Sequence, residues 1–413
     1  MSKTILILDR ITWVFLLIFV AALPVSISAS QVALGIALLS WIASAIVKHE
    51  FPIKKSALLI LVLLFTGWAL LSVLASPYDR MHALWRWGKD FWLVVIFLII
   101  SSEVRTWPHT RVLLSVLCIT ATVAACYGIF QHFTVLDFFG HHTSLVPWSP
   151  RCSGFFNSPM TFAYQQILIL PIAISLGWLQ FRKQNKKSLF WFIAAGLIAA
   201  GIIFSYSRGA WLGMVISLVV IAYFMNKIVG RVVLASIVVF IVFVFALAPT
   251  SLFATRAQAF FRPHKVVSTQ ERFYMWQSAL AIAVDRPVFG AGWGNFTPAH
   301  TDYKMLGDTW APACNAHSNY FNTLAETGWI GFGIFLLLTI ESMMIAWRIA
   351  RTRNRTDICK LGYGLFGSML TISIASISQT SLVDAEVAMV LFLLLGVLNN
   401  IPFLYERSIY KNK

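Results

Sequence analysis

The sequence has few charged residues and few cysteines for its length. Of its 413 residues, 12% are charged and only five are cysteines, whereas 59% are hydrophobic. Five cysteines are too few for a disulfide framework. A chain this apolar cannot hide its nonpolar surface inside one water-soluble core. The composition therefore excludes a soluble domain and indicates a membrane protein.

Apolar runs long enough to cross a bilayer as helices recur along the whole chain. Spanning segments must be helices or a closed barrel, because lipid offers the backbone no hydrogen-bond partners. Runs such as 232–247 lack the alternation of barrel strands. The sequence thus predicts an all-α polytopic membrane protein with about twelve spans. The predicted spans are 11–29, 31–47, 57–75, 90–102, 110–131, 160–180, 188–206, 209–225, 232–249, 329–347, 361–380 and 385–405.

Acidic residues are scarce, since 16 Asp and Glu stand against 32 Lys and Arg, for a net charge of +16. Such a surplus can indicate nucleic-acid binding, but here the basic residues concentrate in alternate loops, which argues against a nucleic-acid partner. The positive-inside rule then places both termini in the cytoplasm. On this topology the short outer loops carry Arg80, Arg86, Lys89, Arg151 and Arg208.

The charge and hydropathy patterns divide the chain into four parts. We expect an N-terminal transmembrane scaffold at 1–150 and central transmembrane helices with an arginine turn at 151–250. A large outer loop containing helices is expected at 251–327, and C-terminal transmembrane helices at 328–413. Residues 1–30 could imitate a cleaved secretory signal, but an uncleaved first span is favoured because the weakly basic start carries Asp9.

Two other features leave alternatives open. Cys152 and Cys314 both face outward on this topology, so a bridge between them is possible, although two free thiols are favoured. The pair His141-His142 invites a metal site, but no carboxylate or thiol lies at the spacing that zinc requires. We therefore predict no metal and no cofactor.

The outer loop 251–327 carries the most distinctive sequence. Ser268-Thr-Gln-Glu271 is a capping-box pattern, which predicts a helix ending at Asp285-Arg-Pro287 with Arg272 in its first turn. A glycine-rich stretch, 288–296, then predicts a turn with close backbone approach. The loop closes with His317 and Glu326, which are nine residues apart and do not share a helix face.

Five short motifs follow one another between residues 150 and 345. They are Arg151-Cys-Ser-Gly-Phe-Phe-Asn-Ser-Pro, Ser207-Arg208-Gly-Ala-Trp, Glu271-Arg272-x3-Trp276, Pro287-x2-Gly-x-Gly-x-Gly-x-Phe and His317-x2-Tyr-x5-Glu-x-Gly. In this order they resemble the O-antigen ligase and polymerase superfamily, and elsewhere the likeness rests on hydropathy alone. One departure is that Ser318 follows His317 where many members have asparagine, and Asn319 could substitute as the partner of the histidine.

The resemblance implies an enzyme of the bacterial inner membrane with its active site facing the periplasm. Ligases of this superfamily move a glycan from undecaprenyl diphosphate to the lipid A core, whereas the polymerases use a second lipid-linked glycan as acceptor. The resemblance implies that Arg208 and Arg272 are the essential arginines and that His317 is the essential histidine.

The chemistry fits these residue types. Guanidinium forks match phosphate oxygens and stay charged, so Arg208 and Arg272, with Arg151 as a third contact, are expected to stabilise the departing diphosphate. A neutral imidazole, His317, would take the proton of the acceptor hydroxyl. Supporting roles are assigned more loosely to Glu326 and Asn319, and to Arg86 and Lys89 near the headgroups.

Two alternatives to a ligase remain. A repeat-unit polymerase would share every motif and the same class of donor. A secondary transporter is suggested by the number of spans and by Glu341, a carboxylate in the tenth predicted span. The transporter is disfavoured, because most of the unusual residues lie outside the bilayer and the two halves show no similarity.

Overall fold

The computed structural model describes residues 3–50, 53, 55–139, 145–146, 149–247, 267–305, 315–352 and 357–410. These segments are almost entirely helical, apart from a short antiparallel pairing of Leu145–Val146 with Ser149–Pro150. The helices are α1 (Lys3–Ala22), α2 (Ile27–Lys48), α3 (Ala57–Leu74), α4 (Arg80–Phe91), α5 (Val94–Glu103), α6 (Trp107–Thr134), α7 (Pro159–Phe181), α8 (Lys187–Phe204), α9 (Arg208–Met225), α10 (Lys227–Leu247), α11 (Val267–Asp285), α12 (Phe296–Asp302), α13 (Asn319–Ala350), α14 (Asp357–Ala375) and α15 (Ala385–Tyr410).

Ten helices of the described segments are long and apolar enough to cross a membrane. The predicted fold class, an all-α polytopic membrane protein, is thereby confirmed. The ninth predicted span corresponds to α10, which has 21 residues. The fourth corresponds to α5, which has ten residues and covers roughly 15 Å, half of a typical hydrocarbon core. The number of crossings and the four-part division of the chain remain predictions.

Two predicted boundaries were wrong, and both errors come from polar or proline residues beside an apolar run. The first span was predicted at 11–29, but α1 ends at Ala22 and the side chain of Ser26 caps α2. The eleventh was predicted to reach residue 380, but α14 ends at Ala375. Serine, threonine and glutamine follow Ala375, and their side chains compete for backbone hydrogen bonds, which favours leaving the helix.

Helix α7 forms the centre of the bundle. In its most apolar stretch 89% of the residues are buried, compared with 33% in α8 and in α9. Helices α8, α9, α14 and α15 all contact it. Small residues allow these backbones to approach closely, as where Gly364 of α14 lies against Ser175. The centre of the bundle therefore holds the N-terminal ends of α7 and α9 in fixed positions.

A glycine-rich turn joins the outer loop to the bundle, as predicted. The amides of Ala291 and Gly292 donate to the carbonyl oxygens of Ala325 and Glu326, at 2.8 and 2.9 Å. Gly290, Gly292 and Gly294 have positive φ angles of 64°, 92° and 82°. Residues other than glycine rarely adopt such angles. The turn thereby ties α11 and α12 to the start of α13.

Helix α13 is interrupted where it meets this turn. Gly328 has φ 69° and ψ −174°, which are not helical angles, so residues 319–327 form a separate helical segment before the long span. The amide of Trp329 donates to the Pro287 carbonyl oxygen across the kink, at 2.8 Å. The predicted start of this span at 329 agrees with the kink.

We expect Gly328→Ala to destabilise the protein, because an added Cβ would overlap the Val288 carbonyl oxygen and the positive φ angle would be strained. The cost should be about 1–3 kcal/mol, visible as a lower thermal unfolding temperature in detergent. The control is Gly333→Ala in the same helix, where no atom lies within 4 Å of an added Cβ. Equal unfolding temperatures for the two variants would contradict this account of the kink.

Candidate active site

A polar cavity of about 160 Å³ lies at the N-terminal ends of α7 and α9. Three arginines from distant parts of the sequence, Arg151, Arg208 and Arg272, all line it. None of the described residues that line it carries a carboxylate. The cavity is therefore strongly cationic. Its other lining residues are Met160, Tyr164, Tyr206, Ser207, Gly209, Ser378 and Gln379.

Arg151 is held by the turn between α8 and α9. Its Nε donates to the Ser205 carbonyl oxygen at 2.8 Å, and its Nη2 lies 3.4 Å from Ser207 Oγ. The next residue, Cys152, donates its amide hydrogen to the Phe204 carbonyl oxygen at 3.0 Å. The motif beginning at Arg151 is thus fastened to the motif that contains Arg208.

Arg208 is the first residue of α9. The preceding Ser207 makes no side-chain capping hydrogen bond, so the positive end of the helix dipole adds to the positive charge of the cavity. The Nη2 atom of Arg208 lies 3.4 Å from Thr269 Oγ1 on α11. This contact connects the bundle to the outer helix that carries the third arginine.

Arg272 lies in the second turn of α11 rather than the first, because the helix begins at Val267. Its Nε is buried without a hydrogen-bond partner among the described residues. Burial lowers the pKa of Arg272 from its ordinary value, since a desolvated charge is unfavourable. A buried guanidinium donor that lacks a partner is costly unless a ligand supplies one.

His317 lies immediately beside the cationic cavity. Its Nδ1 is 3.4 Å from Oε1 of Gln379, a residue of the cavity wall. Burial, and then the positive charge of Arg272, lower the pKa of His317 below its ordinary value. The backbone of His317 has a positive φ angle of 47°. The His317 amide donates a hydrogen bond to Asn315 Oδ1 at 2.9 Å, which helps to stabilise this conformation.

The serine that departs from the family pattern has a local role. Ser318 is the N-cap of α13, and its amide donates to Thr380 Oγ1 at 2.9 Å. Asn319 was the suggested partner of the histidine, but its side chain instead binds Ser376 Oγ, Ser381 Oγ and the Leu382 amide. The contact with the imidazole is made by Gln379.

The segment 376–384 was missed as part of the site. It was predicted as the end of a span, yet it contributes Ser378 and Gln379 to the cavity and Thr380 to the anchoring of the histidine segment. The polar run Ser-Ile-Ser-Gln-Thr-Ser in an otherwise apolar region is the signal that could have identified it.

Three of the residues given supporting roles do not line the cationic cavity. Glu326 and Arg86 line a second polar cavity instead. One oxygen of Glu326 accepts the Phe296 amide at 3.2 Å, so this carboxylate holds the glycine-rich loop rather than the histidine. Lys89 lies over the ring of Trp85, 5.4 Å from its centroid, as expected of an interfacial residue.

The remaining predictions concern cysteine and metal. Cys152 is a buried free thiol whose Sγ lies 2.7 Å from the Gly128 carbonyl oxygen. Its suggested partner Cys314, and the pair His141-His142, are outside the described residues. Within the described segments, no three His, Cys, Asp or Glu side chains are grouped to hold a metal ion.

The fold and the cavity define a multi-pass membrane protein with a cationic site at one end of its helical bundle. Residues 192–336 match the family model described as O-antigen ligase. This match confirms the resemblance noted in the sequence: residues 192–336 are similar to the O-antigen ligase family. The matched segment contains Arg208, Arg272 and His317.

One relative is an uncharacterized protein of Haemophilus influenzae. It is 25% identical over 200 residues, which cover 44% of this chain. The aligned part spans 49% of the length of that relative, about half.

We expect Arg272→Met to unfold at the same temperature as the wild type or at a higher one. Methionine has a similar length and removes a buried charge whose Nε has no partner in the described structure, and such replacements are often neutral or stabilising. Thermal unfolding in detergent measures this. The control is Arg286→Met. The Nε of Arg286 also lacks a hydrogen-bond partner in the described structure, but this arginine lies 3.8 Å from Asp285 and 5.7 Å from the centroid of the Tyr78 ring, so its loss should lower the unfolding temperature. A lower unfolding temperature for Arg272→Met would show that Arg272 stabilises the fold.

Proposed function

We propose that this protein is an O-antigen ligase that transfers a glycan from undecaprenyl diphosphate to a sugar hydroxyl of the lipid A core. The observation that carries the proposal is the convergence of Arg151, Arg208 and Arg272 on one cavity beside His317. The match to the family model described as O-antigen ligase supports this class of enzyme, and a repeat-unit polymerase that uses the same type of donor is the alternative.

The arginines would bind and stabilise the diphosphate. As the bond between C1 of the sugar and the phosphate oxygen breaks, negative charge grows on that oxygen. Fixed guanidiniums and the N-terminus of α9 oppose this charge without having to reorganise. Donors of this kind are typically worth about 10²–10³ in rate each. The donor is already activated, so neither nucleotide nor metal is required by this scheme.

His317 would act as the general base. Gln379 Oε1 can accept the hydrogen of Nδ1, which leaves Nε2 with its lone pair for the acceptor hydroxyl. The lowered pKa of His317 keeps the imidazole neutral at pH 7. A general base of this type contributes about 10²–10⁴ in rate.

The transfer is then a single displacement. The acceptor oxygen attacks C1 from the face opposite the phosphate, the bond from C1 to the phosphate oxygen breaks, and the hydroxyl proton passes to His317. The products are the glycosylated acceptor and undecaprenyl diphosphate, and the anomeric centre is inverted. No covalent enzyme intermediate is needed.

The location of the cavity suits a donor that is a lipid. It lies at the ends of membrane-spanning helices, so the polyprenyl chain could remain among the lipids while the diphosphate enters between α9 and α11. The positive-inside pattern supports a bacterial inner membrane protein with both termini in the cytoplasm and this end facing the periplasm.

We expect Arg208→Ala, Arg272→Ala and His317→Ala each to lower the rate of transfer by at least about 10². The assay combines purified protein, an undecaprenyl-diphosphate-linked glycan and lipopolysaccharide that ends at the core, in EDTA. Arg286→Ala, an arginine outside the cavity, should retain activity. Activity that disappears with EDTA and returns with magnesium would contradict the arginine mechanism. Products with several repeat units still on undecaprenyl diphosphate would assign the polymerase function instead.

The pH dependence of kcat/KM provides a second test. The base form of His317 is active, and its pKa is lowered by burial and by Arg272. Activity should therefore stay constant through neutral pH and fall only as the pH drops below about 6.5, the ordinary value for histidine. An acid limb well above that value would contradict the assignment of His317 as the base.

A further inference from the structure

A second polar cavity, of about 220 Å³, is lined in part by residues next to the histidine segment. It is enclosed by α4, the glycine-rich turn, α12 and the first part of α13. One carboxylate and one amide of its lining are deeply buried, since Glu326 and Asn322 are only 4% and 2% exposed. Its lining residues are His82, Arg86, Asp90, Trp293, Gly294, Thr297, Asn315, Asn322, Glu326 and Val383.

The segment that carries His317 contacts residues of both cavities. Asn315 and Asn322 line the second cavity and also hold this segment, because Asn315 Oδ1 accepts the His317 amide and Asn322 Oδ1 accepts the Ala316 amide at 3.0 Å. The imidazole of His317 contacts Gln379 of the cationic cavity. A ligand in the second cavity would therefore lie next to the segment that carries the histidine.

The two cavities differ in charge. The first cavity is lined by three arginines and by none of the described carboxylates. The second is lined by two acidic residues, Asp90 and Glu326, and by one arginine, Arg86. Arg86 forms an ion pair with Asp90 at 3.4 Å. Two carboxylates would repel a diphosphate. They are instead good acceptors for hydroxyl groups, and the asparagine amides can both donate and accept.

We propose that the second cavity binds the acceptor sugar, next to the segment that carries His317. The proposal rests on the proposed transferase function. Its ligand is a neutral, hydroxyl-rich sugar unit at the end of a glycolipid. Glu326 and Asp90 accept hydroxyl hydrogens, and Asn322 contributes an amide.

The fixed geometry of the carboxylates supports a binding role. Asp90 Oδ2 accepts the indole hydrogen of Trp293 at 3.0 Å, and Glu326 Oε1 accepts the Phe296 amide. The backbone amide of Gly294 also contacts the Glu326 carboxyl group. These contacts orient the two side chains, and a carboxylate has enough lone pairs to accept a hydroxyl hydrogen as well. An amide oxygen can keep both contacts, so Glu326→Gln and Asp90→Asn should leave the walls in place.

The test measures KM separately for donor and acceptor in the transfer assay. Glu326→Gln and Asp90→Asn should raise the KM for core-terminated lipopolysaccharide by about tenfold or more, with the KM for the undecaprenyl-diphosphate donor unchanged. The control is Glu341→Gln, the same substitution later in α13, at a residue that lines neither cavity; both of its KM values should match the wild type.

A second variant blocks the cavity without touching its carboxylates. Thr297 lies on α12 and is only partly buried, so Thr297→Trp should be tolerated by the fold while filling the space. Its acceptor KM should rise in the same way. An unchanged acceptor KM in all three variants, or a raised donor KM, would overturn the proposal. A wild-type protein that makes no product would refute the proposed function itself.

Discussion

The structure depends on a concentration of positive charge at one end of the helical bundle. Arg151, Arg208 and Arg272 share one cavity with the N-terminus of α9, and Arg272 Nε has no partner among the described residues. Holding such charges together at the end of an apolar bundle costs free energy. A site of this kind is built for an anion, and the same fixed charges that bind a diphosphate would stabilise it as a leaving group.

The rest of the fold holds these charges in place. Arg151 is fastened to the turn before α9, Arg208 contacts α11, and Arg272 belongs to α11. The glycine-rich turn and the kink at Gly328 connect α11 to the start of α13, where His317 lies. Residues that are distant in the sequence therefore form one site because α11 and α12 pack against the start of α13.

Much of this arrangement could be predicted from the sequence, and the exceptions have physical causes. The spans follow from apolar runs, whereas Arg208, Arg272 and His317 were singled out by the motifs that resemble the O-antigen ligase and polymerase superfamily. Gln379 could not be identified in this way, since it is uncharged and near the end of an apolar run. Glu326 was expected near the histidine or the loop, and only tertiary packing shows that it holds Phe296 and faces a separate cavity. Periodicity cannot reveal such long-range contacts.

The central claim is that the cationic cavity binds the diphosphate of a lipid-linked glycan. The most direct measurement is an experimental structure of the protein in lipid with undecaprenyl diphosphate bound. The account predicts phosphate oxygens within hydrogen-bond distance of the guanidiniums of Arg208 and Arg272, with the His317 ring beside them. A diphosphate found in the cavity of Glu326 and Asp90, or away from both cavities, would contradict the account.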